Sequence, residues 1–406
     1  MSTDRALDTF PPSREAALAR LEAFVPKAAR DYTTRRNYDL GPGAHDNVSM
    51  LSAYLRHRVL TEQEVLDAVL AEHSRSAAEK FIQEVFWRTY FKGWLEMRPP
   101  VWGGYRSELA FAWDQVQTQS GLRRAWEDAC TGQTGIDCFD AWARELVETG
   151  YLHNHARMWF ASIWIFTLNL PWALGADFFL RHLCDGDPAS NTLGWRWVAG
   201  LQTPSKTYQA RASNIRKYTD ERFHPKWQLA SDCPPVRGAE NPPRMEAPAG
   251  DSFDPSKKTA FLLHDDDLSP GWLLDRGLTP LATATLDVTG RLSILQPADD
   301  VGAFKSALMA DCLARHDGRL GQVTEGMSEA QAIADWAREV GAEQIVTSYA
   351  PVGPVADLLH EVAGLPVLRP LRPYDRRAWP HATAGFFKFK DKIPALLGEM
   401  RGLRAA

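Results

Sequence analysis

CDGDPASNTLGWRW, residues 184–197, is the stretch on which the reading of the first half of this chain turns. Gly186 and Pro188 break any helix that arrives from upstream, because one loosens the backbone and the other removes an amide donor. Asp185 and Asp187 sit at that break. They can orient hydroxyl and amide groups, pair with arginines, or simply end a solvated helix, and Asn191 can address the edge of a heteroaromatic ring. Paired carboxylates also suit acid–base hydrolysis, but no nucleophile accompanies them.

Working outward, apolar spacing predicts one helix after another and few strands. Residues 13–31 read as an amphipathic helix capped by Ser13, with Leu18, Leu21, Phe24 and Val25 as its apolar surface. Thr61 and Glu64 have capping-box spacing, and Ser76 and Glu79 repeat it before a helix running to about Leu95. Further helices fit 106–116, 120–129, 137–149, 152–170 and 174–184. The run MWFASIWIFTLNLPWAL at 158–174 is broken by Asn169 and Pro171, so it reads as a buried central helix rather than a membrane span. Residues 1–230 are therefore expected to form an all-α domain.

Residues 231–258 are polar and proline-rich and offer little apolar area, which predicts an irregular linker. Beyond it TAFLLH (259–264), LATATLDV (281–288), QIVTSYA (344–350) and PVLRPL (366–371) read as strands. Helices at 301–314, 328–339 and 353–363 alternate with them. That order predicts a small α/β domain with a mainly parallel sheet over 259–406. It carries no glycine-rich nucleotide fingerprint or Walker loop. The tail FFKFKDKIPALLGEM is expected to pack as a terminal helix or to lie across a domain surface.

Composition bounds the rest. The chain has 406 residues, 45% hydrophobic and 24% charged, which is an ordinary soluble balance. Its five cysteines lack paired spacing and read as reduced cytosolic thiols; the opening MSTDRALDTF makes a poor leader, so a cytoplasmic protein is expected. The formal net charge of -5 gives no global case for nucleic-acid binding. Residues 1–230 balance 27 Lys/Arg against 27 Asp/Glu, which leaves room for a local basic groove. Fifteen tryptophans fill a core or offer redox-active and base-stacking surfaces.

Two more constellations carry chemistry. In QEVFWRTYF (83–91), Glu84, Trp87 and Arg88 share a helical face. They suit a planar polar substrate; equally, Glu84 pairs with Arg88 while Trp87 packs. In HNHARM (153–158), Asn154, Arg157 and Met158 are helically related, whereas His153 and His155 are not. Those two read as core or capping histidines rather than metal ligands, and no metal site is expected.

Taken in order, Tyr32, SMLSAYL (49–55), QEVFWRTYF, TGIDCFDAWARELVETGYLHNHARM (134–158) and DGDPASNTLGWRWVAG resemble the FAD-binding domain of the photolyase/cryptochrome family, over about residues 30–225. The resemblance implies FAD as cofactor. It assigns Tyr32, Ser49, Met50, Leu51, Ser52, Arg88, Asn154, Arg157, Asp185, Asp187, Asn191 and Trp195 to the flavin region, with Arg157 and Asp185 as an ion pair. Val48 stands where the family usually has a threonine. Trp195 and Trp172 match the inner members of a photoreduction chain whose outer tryptophan is replaced by Val116, with Trp113, Trp159 or Trp164 as substitutes.

The same resemblance implies a site for a flipped cyclobutane pyrimidine dimer: Glu84, Trp87, Asn154, Met158, Trp197 and Arg211. Asn154 and Met158 stand where relatives acting on the six–four photoproduct carry histidines. The implied activity is light-driven repair of cyclobutane dimers, with UV-damaged DNA as partner. The alternative is a cryptochrome-like photoreceptor with a signalling partner and no repair activity. Lys206, Arg211, Arg216, Lys217 and Arg222 are candidate phosphate contacts in GLQTPSKTYQARASNIRKYTDERFHP, a departure from the family's aromatic loop. The family's α/β antenna domain normally precedes the helical one. The order here resembles a circular permutation, and a second antenna chromophore of unknown identity is part of what the likeness implies.

Overall fold

The computed structural model describes residues 5–402; the first four residues of the opening stretch lie outside them. The helical part runs α1 (Arg5–Thr9), α2 (Arg14–Phe24), α3 (Arg30–Arg35), α4 (Ser52–Arg56), α5 (Glu62–Glu72), α6 (Glu79–Glu96), α7 (Pro100–Thr118), α8 (Ser120–Thr131), α9 (Asp137–Thr149), α10 (Asn154–Ser162), α11 (Trp172–His182), α12 (Pro188–Val198) and α13 (Ala212–Tyr218). The α/β part follows as β1 (Thr259–Leu263), α14 (Gly271–Leu274), β2 (Pro280–Leu286), α15 (Asp299–Arg315), β3 (Gln322–Met327), α16 (Ala330–Glu339), β4 (Gln344–Thr347), α17 (Pro354–Glu361) and β5 (Val367–Leu368). It ends in α18 (Pro373–Ala378), α19 (Phe386–Lys390) and α20 (Ile393–Gly402).

Local signals explain many of these boundaries. The Ser13 hydroxyl accepts from the Ala16 N–H, and Thr61 and Glu64 close a complete capping box. Other expectations need correction. Residues 13–31 are not one helix: Pro26 falls in a 3₁₀ turn that ends α2 before α3 begins. Ser76 caps nothing, because α6 starts at Glu79 behind Ala78. The predicted helix 152–170 ends its α-helical course at Ser162 and continues as a π-helical turn, Ile163–Thr167, ahead of Pro171. Among the described residues no helix is long and apolar enough to cross a membrane.

All four strand pairings are parallel, in the order β3-β2-β1-β4-β5. The sequence reading missed β3, which is mostly exposed and reads QVTEGM; it lacks the apolar run that marks a buried strand. Residues 232–258 form no helix or strand, but they are tied down along their length. Val236 N–H donates to the Ala199 carbonyl, Met245 N–H to the Met97 carbonyl, and Asp251 accepts from the Arg369 N–H.

One face of the sheet packs into the helical core through Phe261, Leu263 and Val346, and the other is covered by α16 and α17. The seam between the two parts is charged. Arg56, His57 and Arg58 are buried, with Arg56 on Asp266, Arg58 on Asp375 (2.8 Å) and His57 Nδ1 on the Asp265 carbonyl (2.6 Å). Helix α6 lies along the same seam. Gly93 is required there, since a Cβ would come within 2.8 Å of the Trp379 backbone. At the end of α6, Glu96 accepts from the Tyr349 hydroxyl (2.7 Å) and the Val352 N–H (2.6 Å).

Burial pushes the Glu96 carboxyl up to about 7, against those two hydrogen bonds and Lys92, so the folded chain keeps a proton that the unfolded chain releases from about pH 4.5. This group's contribution to stability therefore falls as pH rises from about 4.5 to about 7. Glu96→Gln keeps an acceptor for Val352 without the ionisation. Urea denaturation at pH 5 and pH 8 should show the variant gaining about 1–3 kcal/mol on wild type at the higher pH relative to the lower.

Candidate functional site

The break in 184–197 is where the candidate site is built. Helix α11 ends at His182 and α12 begins at Pro188, with Asp187 as its cap; its carboxylate accepts from the Ala189 (2.8 Å) and Ser190 (2.9 Å) N–H groups. Asp185 is gripped by both terminal nitrogens of Arg157 on α10, at 3.0 and 2.9 Å, with the Ser52 side chain of α4 close by. Arg88 on α6 donates to Asp187 and to the Ser52 carbonyl, each at 3.3 Å, and Lys92 lies 3.7 Å from Asp187. Arg56 donates to the Gly186 carbonyl at 2.8 Å. Three helices, α4, α6 and α10, thus converge on the five loop residues between α11 and α12.

The electrostatics follow. Burial alone would raise both carboxyls. Lys92, Arg88 and Arg56 outweigh it and hold Asp187 down at about 2, and Arg157 with the Ser52 hydroxyl keeps Asp185 below the ordinary range. Leading into Ser52, Met50 adopts φ +47°, a left-handed conformation that costs a non-glycine residue about 1 kcal/mol. It turns the Ser49–Ser52 backbone onto α4, where the Ser49 hydroxyl accepts from the Leu51 N–H (3.4 Å).

Asn191 and Trp195 share a face of α12. The Asn191 amide donates to the Ala176 carbonyl on α11 (2.7 Å), and the buried Trp195 indole N–H has no partner. The close packing of α11 on α12 depends on Gly175, where a Cβ would come within 2.3 Å of the Trp195 ring. Tyr32 is buried, and burial, reinforced by nearby Glu84, raises its hydroxyl well above its ordinary value. A cavity of about 490 Å³ opens beside the motif loop, lined by Arg20, Lys27, His45, Ser49, Met50 and Tyr151 among others. Ser49 and Met50 are the flavin-set residues it contains.

Of the residues expected at the dimer site, Glu84 and Trp87 lie on α6, Asn154 and Met158 on α10, and Trp197 on α12. Glu84 does not pair with Arg88; its partner is Arg36 at 2.7 Å. Burial raises the Glu84 carboxyl, while Arg36 and Lys80 pull it down. Trp87 is half-buried, Asn154 exposed and Met158 half-buried. Trp197 is 38% exposed and packs on Tyr208, 5.4 Å between ring centroids. Arg211 is exposed at the start of α13. Of the basic run, Arg222 is engaged by Asp39 (3.0 Å) and Arg216 pairs with Glu221, whereas Lys206 and Arg211 stay exposed.

The aromatic chain has an unexpected outer end. Trp172 donates to Glu108 (2.6 Å), and its ring neighbour is Tyr105 (5.8 Å), which in turn meets Trp102 (5.3 Å). Of the proposed substitutes for the residue lost to the buried Val116, Trp164 meets Trp195 edge-on at 6.2 Å, Trp113 pairs with Trp126, and Trp159 stacks on His155 and Trp142. His153 caps α10, accepting from the His155 N–H.

Sequence reasoning missed Arg36, Lys92 and Arg56. Lys92 was legible, one turn from Arg88 on the same helix face; Arg36 gave no local signal. It also passed over a buried cluster, Asp39, His45 and Glu145, whose candidate ligand atoms lie within 4.8 Å of one another. Glu145 lies 100 positions from His45 in the chain. Asp39 there already takes the Gly41 and Trp142 N–H groups and the Arg222 cation, and His45 Nε2 is 2.8 Å from Glu145.

Residues 81–228 match the profile of the FAD binding domain of DNA photolyase. The deoxyribodipyrimidine photo-lyase of Synechococcus sp. is 31% identical over 249 residues, covering 55% of this chain and 49% of that protein. The Escherichia coli protein of the same name is 32% identical over 206 residues, covering 49% and 42%. The chain therefore spans about half the length of the curated relatives it matches. A solved class III photolyase from Agrobacterium tumefaciens aligns with a TM-score of 0.44 at 22% identity, over 57% of this chain and 51% of that one.

The residues present fit FAD. Arg88, Lys92 and Arg157 outnumber Asp185 and Asp187 around the loop, which suits a pyrophosphate, and the free Trp195 indole N–H marks a buried donor beside Asn191. Removing one partner of a buried pair costs about 3–5 kcal/mol. Arg157→Met should lower stability by roughly that amount, and co-purified FAD, measured by its absorbance, should fall to a minor fraction.

Proposed function

We propose that this chain, whose helical part belongs to the photolyase/cryptochrome family, repairs cyclobutane pyrimidine dimers in DNA by light-driven electron transfer from reduced FAD. What supports the reading is shared placement: a carboxyl, two exposed or half-buried indoles, an amide and a thioether sit on α6, α10 and α12, the same three helices that furnish Arg88, Arg157 and Asn191. The flat apolar rings of a flipped dimer need such walls, and its polar edges need directed donors.

Bound FAD, reduced and excited by light, supplies the electron that opens the dimer and receives it back. The protein does the rest. Trp87 and Trp197 would offer flat walls to the pyrimidine rings, and Met158 a compliant thioether beside them. Glu84 offers its carboxyl to a polar edge of the lesion, with burial raising that carboxyl above its ordinary value and Arg36 pulling it down. Arg36 fixes that carboxyl in place. Asn154, exposed at the first turn of α10, would offer its amide to the lesion. Lys206 and Arg211 offer cations to the phosphates flanking the lesion. Trp195 and Trp172 supply oxidisable indoles behind the flavin region.

The test uses the full chain with fully reduced FAD and an oligonucleotide carrying one cyclobutane dimer, under blue light and in the dark. More than one dimer restored per protein, in light only, supports the reading. Confirmed reduced FAD with no restoration removes it and favours the photoreceptor alternative. Trp87→Ala should weaken dimer binding at least tenfold, an effect of about 1.4 kcal/mol, while FAD absorbance stays at the wild-type level.

A further inference from the structure

We propose that Phe386, on α19 at the end of the α/β part, is a positioning residue of the dimer site: it holds the plane of the Trp87 indole so that its open face is ready to stack. The inference rests on the reading of Trp87 as a wall of that site.

The two rings are 3.7 Å apart between centroids and inclined by 12°, the closest ring pair among the described residues. The other rings on Trp87 are Tyr90 and Phe91, neighbours on its own helix, and both are tilted or edge-on. Phe386 is therefore the one aromatic face laid flat on Trp87 from outside α6 among the described residues. It is 4% exposed, whereas Trp87 is half-buried, so Phe386 backs the indole from the interior while part of the Trp87 ring stays accessible.

The tail has little freedom to slide. Tyr90 donates its hydroxyl to the Ala384 carbonyl (2.7 Å), Arg98 donates to the Thr383 carbonyl (3.0 Å), and Lys390 pairs with Glu79 (3.0 Å). Phe389 packs on Tyr90 and Phe86 beside it. Phe387, between these two buried rings, is 81% exposed, so the helix presents its two other phenylalanines inward by register. An indole held on one face loses less side-chain freedom when a dimer stacks on the other.

The experiment measures binding, in the dark, of the full FAD-loaded chain to an oligonucleotide with one cyclobutane dimer and to its undamaged twin. Phe386→Leu keeps apolar bulk but removes the flat face. It should weaken binding to damaged DNA by about 3- to 10-fold, leave binding to undamaged DNA, FAD content and Tm near wild type, and add nothing in a Trp87→Ala background. Phe386→Tyr, which keeps the ring, should restore discrimination. Equal losses on both DNAs, no change, or a further loss without Trp87 overturns the proposal. Tighter binding by Phe386→Leu overturns it too, since Phe386 would then occupy the place of a base. A wild-type chain that does not discriminate the two DNAs removes the parent reading along with this one; failure of this inference alone leaves that discrimination intact.

Discussion

Arg56, His57 and Arg58 are the hinge of the whole arrangement, because three consecutive polar side chains are buried and each must find a partner or destabilise the fold. The partners come from the far end of the chain: Asp265, Asp266 and Asp375, with Asp267 clamped by Arg372 at 2.6 Å. Burial, with Arg56 next to it, lowers His57 to about 4, so a neutral ring sits between two cations. In open parallel sheets, ligands gather outside the carboxyl ends of the strands where the order reverses. Here that place is beside β1 and β4, and arginines of the helical part fill it. The sheet binds the helical part as other sheets bind a ligand.

The same residues reach the loop that carries Asp185 and Asp187. Arg56 holds the Gly186 carbonyl while it pairs with Asp266, so one guanidinium joins the loop to the sheet. Lys92 extends the link from Asp187 along α6 toward Glu96, where Tyr349 and Val352 of the α/β part close it. The loop that orders Asp185 and Asp187 is thus braced by the α/β part as well as by the helices that carry the site.

Much of this was legible from residue order, and the reasons are specific. Periodic apolar residues and capping pairs located α5, α9 and α11, and the break at Gly186–Pro188 was visible in the residues themselves. The Arg157–Asp185 pair came from family likeness, since no local rule joins residues 28 apart. What stayed hidden depends on distant contacts. Glu84 finds Arg36 rather than the Arg88 one turn away, because Arg88 is claimed by Asp187 and Ser52. The Phe386 stack joins residues about 300 positions apart in the chain, and nothing in FFKFK names its partner. The π-helical turn after Ser162 is likewise a product of packing ahead of Pro171, not of helix propensity.

β3 escaped the strand reading because Gln322, Thr324, Glu325 and Gly326 leave it little apolar face. That same composition matters at the sheet's border. A strand with one free side is a template on which a foreign strand can zip, and self-templated growth of this kind leads to aggregates. β3 presents a charge, a glycine and amide or hydroxyl side chains there, and the opposite border, β5, is two residues long. Neither margin offers a flat apolar ladder, so the sheet is closed to further strands by chemistry on one side and by brevity on the other.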